Sequence, residues 1–75
     1  MKPECYVRLK LIGLDEFQTL RVWGTADEME HEILSTIVNE DWLPIVKANG
    51  GREFFKTQDI QAFCCWDIVS LQNGQ

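Results

Sequence analysis

Thr25-Ala26-Asp27-Glu28-Met29-Glu30-His31-Glu32-Ile33-Leu34-Ser35-Thr36-Ile37-Val38 is the stretch that decides how this chain folds. It opens with a capping box. The Thr25 hydroxyl is placed to accept from the backbone N–H of Glu28, and the Glu28 carboxylate can return to the N–H of Thr25. Asp27, Glu28, Glu30 and Glu32 crowd the first turns, where the helix dipole favours negative charge. Met29, Ile33 and Ile37, flanked by Leu34 and Val38, recur at helical spacing and predict one apolar face. Asn39 is expected to stop the helix. The predicted helix covers residues 26–38.

On the N-terminal side the period changes from helical to two. Across residues 5–12, Cys5, Val7, Leu9 and Leu11 fall on one side, and Tyr6, Arg8, Lys10 and Ile12 on the other, the pattern of a half-buried strand. Gly13-Leu14-Asp15-Glu16 reads as a hairpin connection. Residues 17–23 then alternate again, with Leu20 and Val22 facing the side opposite Phe17, Thr19, Arg21 and Trp23.

On the C-terminal side, residues 42–48 form a third strand in which Pro44 lacks a ladder donor, so it is expected at a sheet edge or a bulge. Asn49-Gly50-Gly51 signals a turn. Residues 52–56 return as a fourth strand, Thr57-Gln58-Asp59 makes a corner, and residues 61–69 form a fifth. Residues 70–75 are expected to fray. The turn leaves two registers open. A two-residue Asn49-Gly50 turn puts Ile45, Lys47, Arg52, Phe54 and Lys56 on one side, whereas a three-residue loop over residues 49–51 sets Lys47 against Glu53.

The order β-β-α-β-β-β predicts a single two-layer α+β domain over residues 1–75, an antiparallel sheet with one helix packed on one face. Glu53-Phe54-Phe55-Lys56-Thr57-Gln58-Asp59-Ile60, in that order, resembles short proteins of bacteria and their prophages that pair hairpins around one helix. The resemblance implies the fold and no activity.

The chain has 75 residues, of which 45% are hydrophobic and 25% charged. That is globular composition, but a core this small is marginal without a disulfide, a metal or a partner chain. The three cysteines, Cys5, Cys64 and Cys65, have neither the count of a disulfide framework nor the spacing of a zinc site, so reduced, hydrophobe-like thiols are expected. No P-loop, dinucleotide fingerprint, H-E-x-x-H or EF-hand pattern occurs. The lone His31 sits among carboxylates without a nucleophile, so catalysis and cofactors are not expected. No apolar run is long enough to cross a membrane. The opening residues lack the apolar core of a signal peptide, so a cytoplasmic protein is expected.

One helix covers one sheet face, which leaves the other face open. Tyr6, Arg8, Lys10, Phe17, Arg21 and Trp23 are expected on that open face, and Trp42 on the third, edge strand. These seven residues are the candidate interaction surface. The reading favoured is non-enzymatic protein interaction, including self-association as a homo-oligomer through the open face or the edge at residues 42–48. An unidentified protein partner fits the same surface. Aromatic and basic residues interleaved on a sheet also suit single-stranded nucleic acid, above all if the two-residue turn brings six of the seven cations to that face. The net charge of −5 opposes duplex DNA binding and admits a third reading, an acidic inhibitor or nucleic-acid mimic presenting the helix carboxylates.

Overall fold

The alternation before the helix becomes a hairpin. In the structure, a computed structural model that describes residues 2–68, β1 (Glu4–Leu11) pairs antiparallel with β2 (Phe17–Trp23). Tyr6 stands opposite Arg21, Arg8 opposite Thr19 and Lys10 opposite Phe17. Gly13, at φ 88°, supplies the left-handed turn residue of the connection. β5 (Ile60–Asp67) adds to the other side of β1, giving a three-stranded antiparallel sheet in the order β2-β1-β5. The alternation holds as expected: Cys5, Val7, Leu9, Leu20 and Val22 are buried, and Arg8, Phe17, Arg21 and Trp23 are exposed.

The helix α1 runs over Ala26–Asn39, with both halves of the capping box formed: Glu28 N donates to Thr25 Oγ1 at 3.2 Å, and Thr25 N donates to Glu28 Oε1 at 2.9 Å. The helix stops at Asn39, one residue later than the expected span. The Asn39 amide donates to the Ser35 carbonyl, and the chain leaves at Glu40 in an extended conformation. Ile33 is fully buried, and Met29 and Ile37 pack at the edge of the core. Leu34 and Val38 do not join them; they are 55% and 80% exposed. At 100° per residue, Leu34 lies about 100° and Val38 about 140° around the helix from Ile33, outside the arc that faces the core.

β3 (Trp42–Val46) and β4 (Arg52–Lys56) form a separate two-stranded sheet, touching the first through a single bridge between Val22 and Lys47. Neither expected register occurs. Lys47 N donates to the Gly51 carbonyl at 2.7 Å, closing a three-residue loop of Ala48, Asn49 and Gly50, with Gly50 at φ 93°. Leu43 therefore faces Phe55 and Ile45 faces Glu53. Leu43, Ile45 and Phe55 are buried, while Trp42, Pro44, Val46, Arg52, Phe54 and Lys56 face out. Pro44 falls where its missing N–H would have pointed away from β4, as an edge strand requires. A short 3-10 turn, Thr57–Asp59, leads into β5. The core fills the space between α1 and the inner faces of both sheets. The expected fifth strand ends sooner than residue 69, and residues 69–75, including the expected frayed tail, lie outside the described residues.

Candidate interaction surface

Side chains alternate across a sheet, so pairing fixes what the outer face of β2-β1-β5 displays. Six of the seven sequence-predicted residues lie on that face. Arg8 lies over the Phe17 ring, 4.2 Å from its centroid. Tyr6 stacks obliquely on Trp66, with centroids 5.4 Å apart and planes at 39°. Arg21 is held by the Glu4 carboxylate, which raises the guanidinium pKa through that hydrogen bond. Lys10 spans the face, donating to Gln61 Oε1 at 3.2 Å and to the Leu14 carbonyl at 3.1 Å. Trp23, at the rim, has the Lys2 ammonium 5.8 Å from its ring.

Trp42 is elsewhere. It sits on the outer face of β3-β4, with Lys56 directly opposite and its ammonium 5.9 Å from the indole. Val46 and Phe54, both mostly exposed, share that face with Pro44. The molecule thus displays two separate aromatic patches. Trp66 and Phe54 were missed in the sequence. Trp66 lies in Phe63-Cys64-Cys65-Trp66, an apolar run without alternation, and only its pairing with Tyr6 assigns it a face.

The cations do not gather as the two-residue turn would have it. Lys47 turns inward, bridged to Glu53 Oε2 at 2.9 Å, while Arg52 and Lys56 lie on the second sheet. A shallow cleft of about 790 Å³ opens between β2 and the β3-β4 turn, lined among others by Arg21, Trp23, Lys47 and Glu53. Both of its cations are paired with carboxylates.

The cysteines are free. Cys5 and Cys65 point into the core side of the sheet, and burial raises both thiol pKa values, that of Cys65 to about 12. They are protonated at neutral pH. Cys64 lies on the outer face, opposite Arg8, and is exposed. Among the described residues no three His, Cys, Asp or Glu side chains cluster as metal ligands, and no helix is long and apolar enough to cross a membrane. No protein-family model, curated protein or solved structure matches this chain.

Proposed function

We propose that this domain is a non-enzymatic protein-interaction module that associates with itself. The observation that carries the reading is the pair of aromatic patches, exposed Phe17, Trp23 and Trp66 beside half-buried Tyr6 on one sheet, and exposed Trp42 and Phe54 on the other. Aromatic side chains bring large contact areas at low entropic cost and anchor interfaces. A 75-residue core without cross-links gains stability by burying them in a second copy. Light scattering on the purified chain tests this: a mass at micromolar concentration above the 8.7 kDa of one chain is expected. A monomer at every attainable concentration overturns it.

Single-stranded nucleic acid is the second reading, favoured by the Arg8–Phe17 and Tyr6–Trp66 pairs on one open face. It ranks lower because Arg21 and Lys47 are already neutralised by carboxylates. Binding to an oligonucleotide that weakens steeply with salt would favour it, and Arg8→Glu would abolish that binding.

A further inference from the structure

Edge strands differ in how well they are guarded. β2 is blocked at Arg21, whose carbonyl accepts from Ala48 N at 2.7 Å. β3 carries Pro44, and β4 carries Arg52, Glu53 and Lys56. Charges, prolines and coverings of this kind keep edges from pairing. β5 is different. From Ile60 to Trp66 it holds no charge and no proline, and among the described residues β1 is its only strand neighbour.

The parity of that edge can be read from the ladder. Ile68 N donates to the Glu4 carbonyl, so the even residues from Ala62 to Ile68 bond β1; the register shifts at Gln61, beyond which Ile12 N donates to the Asp59 carbonyl. Phe63, Cys65 and Asp67 therefore turn their N–H and C=O groups outward.

We infer that a second copy of this chain pairs with the outer edge of β5, antiparallel and two-fold, with Cys64 on the axis. This deepens, and rests on, the self-association proposed above. In this register Phe63 and Cys65 exchange backbone hydrogen bonds with their counterparts, and Cys64 meets Cys64 of the partner subunit in a non-hydrogen-bonded pair. Trp66 lies opposite Ala62 of the partner subunit, a large side chain against a small one. Asp67 falls opposite Gln61 of the partner subunit, so no like charges meet. A two-fold centred on Cys65 would instead oppose Asp67 to the partner's Phe63.

The helix supports the same occupant. Ala26 N donates to Asp67 Oδ1 at 2.8 Å and Val38 shares a cleft with Thr57 and Gln58, so α1 runs along β5, with Glu30 on an exposed flank. Leu34 and Val38 continue that flank at successive turns, exposed and without a partner in the core. A two-fold across β5 brings the same flank of the second helix alongside, so the two residues that the monomer leaves in water are covered. Sheets extended through edge strands, with helices apposed on one face, form the closed symmetric contact expected of a dimer.

The test uses the full chain. Diamide should convert the dimer to a covalent one, two Cys64 thiols losing two electrons and two protons to the diamide as one S–S bond forms. The opposed Cα separation of about 4.5 Å at such a site suits a disulfide. Cys64→Ser should abolish the cross-link, and Cys5→Ser or Cys65→Ala should keep it. Ala62→Arg and Leu34→Glu, both at exposed positions, should each raise the dimer dissociation constant at least about tenfold. Glu32→Ala, at an exposed position on the flank of α1 opposite Leu34, should change it less than about twofold, with circular dichroism verifying the fold. A dimer that cross-links without Cys64, or that ignores Ala62→Arg and Leu34→Glu, overturns the β5 contact and leaves self-association standing. A monomer overturns both.

Discussion

Thr25 contributes through two reciprocal hydrogen bonds, and both were legible because their partners lie three residues apart in the chain. Thr25→Ala removes the acceptor for Glu28 N and should cost about 1 kcal/mol in urea unfolding. Cys65 makes a prediction about pH. Its folded pKa, about 12, is raised above the ordinary thiol value of 9.0, mainly by burial. A thiol that folding keeps protonated contributes stability present in full below the unfolded pKa and lost as pH rises toward the folded one. Melting temperature should therefore fall from about pH 9 upward, and Cys65→Ala should flatten that fall. Leu34 and Val38 mark the limit of reading at this scale. Their spacing announces an apolar arc, but how much of the arc is covered depends on the width of what lies beneath it.

For the elements, type and order were readable and pairing was not. Helical and alternating periods are written in the local sequence, so α1, β1 and β2 fall close to their expected bounds. The β3-β4 register depends on which glycine takes the left-handed position, and two adjacent glycines leave that undetermined. Gly50 takes it, at φ 93°, with nothing near an added Cβ. Gly50→Ala should thus cost about 1 kcal/mol from backbone strain alone, whereas an alanine at Gly51 would crowd the Lys47 side chain at 3.0 Å. Denaturation of both variants separates strain from crowding. Most of the candidate face was legible because alternation on β1 and β2 fixes it. Trp66 was not, since β5 takes its facing from a strand at the far end of the chain.

Taken whole, the domain is held by a single small core, in which Ile33 lies between α1 and both sheets. Ile33→Ala should cost about 2–5 kcal/mol through lost burial and the cavity left behind. A chain of this size commands only about 4–11 kcal/mol in total, so the variant's urea midpoint should drop by a large fraction. Division of the strands into two sheets was beyond sequence reasoning, because it turns on one bridge, Val22 to Lys47, between segments separated by the whole helix. The central place of β1, between β2 and β5, has a consequence in time. Cys5 pairs with Asp67 across most of the chain. During synthesis at about 5–20 residues per second, β1 gains its hairpin neighbour early and then waits for β5, one edge bare, until α1 and the β3-β4 hairpin have been made. The sheet closes late, and the nascent chain is most exposed to wrong pairings in that interval.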